Sequence, residues 1–181
     1  MGPQIKYTPN LILKVLDERK SKSVLDLYLR NRANFEQFEP TRPRDFYTAE
    51  FHERQLRREF EAYKKGNFVR YYIFTTYNLS KIIGSINLNI FKGQNIPYAE
   101  IGYKVDGAYQ NHGIAYEACL SCIDVIKNDY GINKIYARIH PDNQASIKLV
   151  TKLGFVPLFL EPHSANILGK QVDLVRYCLD I

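Results

Sequence analysis

Cysteine is scarce in this chain, with three residues in 181. Three thiols cannot form a complete set of pairs, which argues against a disulfide-stapled secreted domain and makes a reducing cytoplasm the default. No apolar run approaches the ~20 residues that span a bilayer. The first residues hold no long apolar stretch either, so neither a membrane anchor nor a signal peptide is expected. Pro/Ser-rich linkers, charge blocks and internal repeats are also missing. The chain therefore reads as a single domain over residues 1–181, and its 45% hydrophobic content is enough for one sizeable core. Cys119 and Cys122 have C-x-x-C spacing, but there is no second pair, and both fall on the apolar stripe of a helix. Buried small side chains are the reading there, not zinc, and no metal is expected.

What is present is positive charge, a formal net of +6. Much of it lies between Arg30 and Arg70, where Arg54, Arg57, Arg58, Lys64 and Lys65 alternate with Glu50, Glu53, Glu59 and Glu61. Such a surface suits acidic partners: nucleotides, ribosomes, nucleic acid or anionic cofactors. The mixed signs also fit a solvated, salt-bridged helix face.

Local patterns give an element order. Leu11 to Val15 is the first expected strand. Ser21 or Ser23 can cap a helix reaching about Asn31. Phe35 to Tyr47, with Pro40 and Pro43, reads as irregular. A second helix is expected from Thr48 to Lys65, ended by Gly66. Phe68 to Thr76 is rich in β-branched and aromatic residues and reads as a strand. Lys81 to Ile90 alternates, with Ile82, Gly84, Ile86, Leu88 and Ile90 on one face and Ile83, Ser85, Asn87 and Asn89 on the other. A loop, Lys92 to Pro97, leads to a strand from Tyr98 to Val105. From Gly113 the period becomes helical through Ala115, Ala118, Cys119, Cys122, Ile123 and Ile126, until Gly131. Lys134 to Ile139 is a strand, Asn143 to Leu153 a short helix, and Phe155 starts an extended run. A loop at Pro162 to Gly169 precedes a last strand, Gln171 to Leu179. The order βααβββαβαββ predicts an α/β (α+β) fold, a single mixed, mostly antiparallel twisted sheet of about seven strands with about four helices.

The stretch from Tyr109 to Ala115 carries the most chemistry. It joins a strand to a helix N-terminus, where backbone N–H groups lack partners and the helix dipole is positive. That is an anion site suited to phosphate, and no acidic residue lies between Gly107 and Tyr116.

The order and two motifs resemble the GNAT acyl-CoA N-acyltransferase family, most closely its ribosomal-protein alanine N-acetyltransferase branch. Gln110-Asn111-His112-Gly113-Ile114-Ala115 matches the family's cofactor loop, Gln/Arg-x-x-Gly-x-Gly/Ala. It follows a strand ending Gly102-Tyr103-Lys104-Val105. Asn143-Gln144-Ala145-Ser146, with Lys152-Leu153-Gly154-Phe155 after it, matches the second block. Phe38-Glu39-Pro40-Thr41-Arg42-Pro43 looks like the branch's approach to its second helix.

The resemblance implies acetyl-CoA (coenzyme A) as cofactor and an amine acceptor, with a protein N-terminus, possible ribosome association, and a monomer or homodimer as the expectations. Backbone N–H groups of Asn111, His112, Gly113, Ile114 and Ala115 would bind the pyrophosphate, helped by the Gln110 side chain. Pantetheine would run along Ile101, Gly102, Tyr103, Lys104 and Val105, where this strand and the next splay apart. Asn143 would hydrogen-bond that arm or cap its helix. Ser146 would sit near the thioester sulfur or face solvent. Glu100 is the candidate base or orienting carboxylate, or else a surface carboxylate paired with Lys104. Phe38, Tyr47, Ser85, Asn87 and Glu100 would line the acceptor pocket. Many family members place a Tyr acid where this chain has Val150, which leaves Ser146, a water or no acid for the thiolate. A polyamine or aminoglycoside acceptor stays open, as does a cofactor-binding module without turnover.

Overall fold

The computed structural model describes residues 2–93 and 95–181; Gln94, inside the expected Lys92–Pro97 loop, lies outside the described residues. One sheet holds eight strands: β1 (Ile5–Tyr7), β2 (Leu11–Val15), β3 (Phe68–Thr75), β4 (Gly84–Phe91), β5 (Tyr98–Val105), β6 (Lys134–Ile139), β7 (Val156–Ile167) and β8 (Lys170–Asp180). Among the described residues five α-helices accompany it: α1 (Ser21–Arg30), α2 (Arg32–Glu36), α3 (Ala49–Lys64), α4 (Ile114–Tyr130) and α5 (Gln144–Lys152). The spatial order is β1-β2-β3-β4-β5-β6-β8-β7. Every neighbouring pair is antiparallel except β5 and β6. Among the described residues no helix is long and apolar enough to cross a membrane.

The alternation read in the sequence decides which side each helix covers. Leu13, Tyr71, Ile86, Leu88 and Ile101 face the stripe of α4 made by Ala118, Cys119, Cys122, Val125 and Ile126. Ile12, Tyr72 and Phe74 on the opposite face pack with Val24 and Leu27 of α1 and Leu56 of α3. All three cysteines are free and buried, and burial pushes the Cys119 and Cys122 thiols up.

One irregularity creates the site. β5 and β6 pair only at Ala99↔Ile135 and Glu100↔Tyr136 and then diverge. Beyond Glu100 that edge of β5 has no ladder partner. Each hydrogen bond forgone is worth about 0.5–1.5 kcal/mol. Each apolar side chain buried against α4 contributes roughly 1.5–3 kcal/mol. The shared core therefore holds the open strand in place.

The structure departs from the sequence reading at five places. The expected Lys81–Ile90 strand begins only at Gly84, and before it the alternation breaks: Ile83 joins the α4-side core with Ile86 and Leu88, while Ile82 joins the opposite side. β1 is an extra strand, too short to show a pattern, held by a hairpin register on β2. α1 has no serine cap, because a 3-10 turn at Glu18–Lys20, capped by Asp17, feeds directly into it. The irregular Phe35–Tyr47 segment begins inside α2. The Pro162–Gly169 loop is mostly strand. β7 continues to Ile167, with register shifts between Pro157 and Phe159 and between Glu161 and Ala165. Pro162 lies in the second bulge, where its missing N–H removes no ladder bond. The true turn is Leu168-Gly169, with φ of 51° and 80°, a two-residue hairpin with both centres left-handed.

Candidate active site

Three helices show what is distinctive about the loop before α4. α3 is capped by Thr48, whose side chain accepts from Phe51 N, and α5 by Asn143, whose side chain accepts from Ser146 N. α4 starts from Gly113 (φ 77°) with no side-chain cap. Asn111 is also left-handed, at φ 64°. The N–H groups of Asp106 to Gln110 all find acceptors within the protein. Those of Asn111 to Tyr116 donate to nothing among the described residues. Glu117, the one acid in the first turn of α4, is held elsewhere by Thr8 Oγ1 (2.5 Å) and by the backbone N–H (2.8 Å) and side chain (2.9 Å) of Asn10. The uncapped end is thus free of both a protein acceptor and a competing charge.

These donors border a cavity of about 580 Å³ that lies between the open edge of β5 and α5. Tyr103, Lys104, Val105, Gln110, Asn111, Gly113, Ile114, Ala115, Asn143 and Ser146 all line it. Of the two roles expected of Asn143, the structure shows the helix cap. Its Oδ1 accepts from Ser146 N at 3.1 Å, and its amide nitrogen remains to donate. The Tyr103 hydroxyl donates to the Ser146 carbonyl (3.2 Å), and burial pushes its pKa up. Lys104 lies 2.6 Å from Glu39 and 3.2 Å from the Tyr28 hydroxyl. Burial pushes its ammonium down to about 8, while the adjacent Glu39 carboxylate favours the charged form.

A second cavity of about 480 Å³ adjoins the first, and Phe38 lines both. Glu100, Ile101, Gly102, Asn87, Asn89, Arg138, His140 and Asn166 are among its walls. Glu100, 16% exposed, faces Arg138 at 3.7 Å and Arg176 at 3.9 Å. Arg176 also pairs with Glu161. A Cβ on Gly102 would stand 2.9 Å from Asn87 Oδ1, so the space that glycine leaves is taken by the Asn87 carboxamide. The roof is the segment around Pro40. Thr41 N donates to Asn166 O at 2.8 Å, and its hydroxyl donates to Asn166 Oδ1 at 2.7 Å.

Several expected positions differ. Ile101 and Gly102 border the second cavity, not the first, because they lie where β5 has only begun to part from β6. His112 is exposed and lines neither; its Nδ1 lies 2.6 Å from Gln110 O. Tyr47 lines neither cavity. Its hydroxyl donates to Glu36 Oε1 at 2.6 Å, and its pKa is pushed up to about 12 by burial and that bond. Ser85 is buried at register with Lys104 and Tyr72, away from both cavities. Glu100 does not pair with Lys104, whose carboxylate partner is Glu39. Lys148, Lys152 and Tyr116 also line the first cavity, a role the sequence motifs do not assign to them. The i, i+4 spacing of the two lysines, starting five residues past Asn143, was the available signal.

Comparison with known proteins follows this geometry closely. The family described as "Acetyltransferase (GNAT) domain" matches residues 10–156. The chain belongs to the GNAT acetyltransferase family. It is 30% identical over 165 residues to a probable N-acetyltransferase, YjcK, of Bacillus subtilis, covering 91% of this chain and 86% of that one. It is 25% identical over 155 residues to the [ribosomal protein uS5]-alanine N-acetyltransferase of Escherichia coli, covering 84% and 79%. The structure of the ribosomal-protein-S5-alanine acetyltransferase of Vibrio fischeri superposes with a TM-score of 0.90 at 22% identity, over 97% of this chain and 96% of that one. The protein is therefore an acetyl-CoA-dependent N-acetyltransferase. The unpartnered N–H groups and the long cavity behind them fit an acyl donor that carries phosphates at one end of a thin arm.

Proposed function

We propose that this acetyltransferase modifies the α-amino group at a protein N-terminus. The observation that carries the reading is the make-up of the second cavity. It holds the Glu100 carboxylate, with Arg138 and Arg176 beside it, and the amides of Asn87, Asn89 and Asn166. A polycationic acceptor needs several unpaired carboxylates, and this wall offers the opposite balance. Amide side chains suit the backbone groups of a peptide. The name of the Escherichia coli relative supports the same acceptor class.

In this reading the N–H groups of Asn111, Gly113, Ile114 and Ala115 hold the pyrophosphate, with Gln110, Lys148 and Lys152 alongside. The open edge of β5 from Tyr103 to Val105 and the Asn143 amide hold the pantetheine arm. Acetyl-CoA supplies a thioester open to attack by a neutral amine. An α-amine has a reference pKa of roughly 7.7–8.0 against ~10.4 for lysine, so it loses its proton with little help. Glu100 orients that amine and takes up the proton it releases, directly or through water. Val150 is fully buried, which closes the position where many family members carry a tyrosine acid. The Tyr103 proton is committed to Ser146 O. That leaves the Ser146 hydroxyl, or a water beside it, for the departing thiolate.

The test is thiol release from acetyl-CoA over N-terminal peptides, polyamines and aminoglycosides. Turnover with peptides whose lysines are blocked and whose N-termini are free is expected. Turnover confined to polyamines or aminoglycosides overturns the acceptor assignment. Silence across the panel, with acetyl-CoA still raising thermal stability, points to a cofactor-binding module instead.

A further inference from the structure

The donors of the phosphate loop converge only if the chain before them is fixed. The boundary falls sharply between Gln110 and Asn111. Asp106 N donates to Ile83 O (2.8 Å), Tyr109 N to Asp106 O (2.8 Å) and Gln110 N to Gly107 O (3.4 Å). Ala108 N donates to Asp106 Oδ1 at 3.1 Å. The acceptor for Gly107 N is remote in sequence: Asn31 Oδ1 at 2.8 Å.

Asn31 is only 4% exposed and sits between α1 and α2. Its Nδ2 donates to Leu27 O at 3.0 Å, so both ends of the carboxamide are committed and its orientation is set. The neighbouring residue makes a second tie. Arg30 Nη2 lies 3.0 Å from Asp106 Oδ2 and donates to Ile82 O at 2.8 Å. Asp106 is itself buried, at 5% exposure. The end of α1 thus grips the turn Gly107–Tyr109 through a hydrogen bond and an ion pair. Neither Asn31 nor Arg30 lines the cofactor cavity; both lie on the far side of the turn.

We propose that Asn31, seconded by the Arg30–Asp106 pair, is a positioning residue for the phosphate end of acetyl-CoA. It holds the turn in the one conformation that leaves the N–H groups of Asn111 to Tyr116 converging outward. Two left-handed residues follow, Asn111 and Gly113, and a loop of that kind samples other conformers once its anchor is released. Binding must then select a minor state, and affinity falls by the fraction competent. The inference rests on the reading of this loop as the phosphate site.

The experiment compares acetyl-CoA with acetyl-pantetheine, which carries the same thioester and lacks the phosphates. For Asn31→Ala the KM for acetyl-CoA should rise about tenfold at nearly unchanged kcat, with KM for acetyl-pantetheine unmoved. Arg30→Lys, a gentler change, should give a rise of about threefold with the same selectivity, and it serves if Asn31→Ala does not fold. A KM that rises equally for both donors, or for neither, overturns the inference. Gly113→Ala separates it from the reading beneath. If Gly113→Ala is selective for acetyl-CoA and the Asn31 and Arg30 variants are not, the positioning role alone fails. If Gly113→Ala shows no selectivity, the phosphate site itself is wrong.

Discussion

The two cavities that meet at Phe38 are built from different materials. The larger is a backbone site, made of a turn, an uncapped helix end and an open strand edge. The smaller is a side-chain site, with a carboxylate, amides and guanidiniums delivered by β4, β5, β6, β7 and β8. A backbone site changes little when side chains vary, because its donors are present in every residue but proline. A side-chain site is rewritten by single substitutions. One fold can therefore keep its donor while altering its acceptor.

The sharpest way to break this comparison is Glu100→Gln. General-base assistance contributes about 10²–10⁴-fold. We expect turnover with an N-terminal peptide to fall by about 10²-fold and with a lysine-type amine by more, since the higher pKa needs the base more. Equal losses for both amines would reduce Glu100 to an orienting group. Next in size is Gly113→Ala. A left-handed φ costs a residue with a Cβ about 1–2 kcal/mol, so the KM for acetyl-CoA should rise roughly five- to thirtyfold at constant kcat. A fall in kcat instead would place the loop in the chemistry and blur the two sites. Smaller still is a matched pair, Asn143→Ala and Thr48→Ala. Each removes a helix cap worth about 1 kcal/mol, and the two melting temperatures should drop by similar amounts. Only Asn143→Ala should also raise the KM for acetyl-CoA, by a few fold. The smallest effect belongs to Lys148→Met with Lys152→Met, which should lower acetyl-CoA affinity about twofold and flatten its dependence on salt.

The same contrast explains what the sequence disclosed. The strand Tyr98–Val105, the loop to Ala115 and the helix closed by Gly131 are local patterns, set by alternation, by left-handed positions and by period. Each was legible within about ten residues. The acceptor side depended on contacts between distant segments. That Glu100 meets Arg138 and Arg176, and Lys104 meets Glu39, follows from sheet order and from the path of the segment near Pro40. Tyr47 and Ser85 carried suitable chemistry, yet Tyr47 is tied to Glu36 and Ser85 is buried in the sheet, away from both cavities. Pro162 read as a loop because a bulge cannot be told from a turn without its partner strand. Asn31, the remote anchor of the phosphate loop, read as the end of a helix and gave no sign of its partner at Gly107.

The most direct test of separate donor and acceptor sites is a calorimetric titration of the Glu100→Gln protein with coenzyme A beside the unmodified protein. The two dissociation constants should agree within about twofold while turnover differs by about 10²-fold or more. A tenfold weaker affinity in Glu100→Gln would show that the carboxylate belongs to the donor site and would contradict the division.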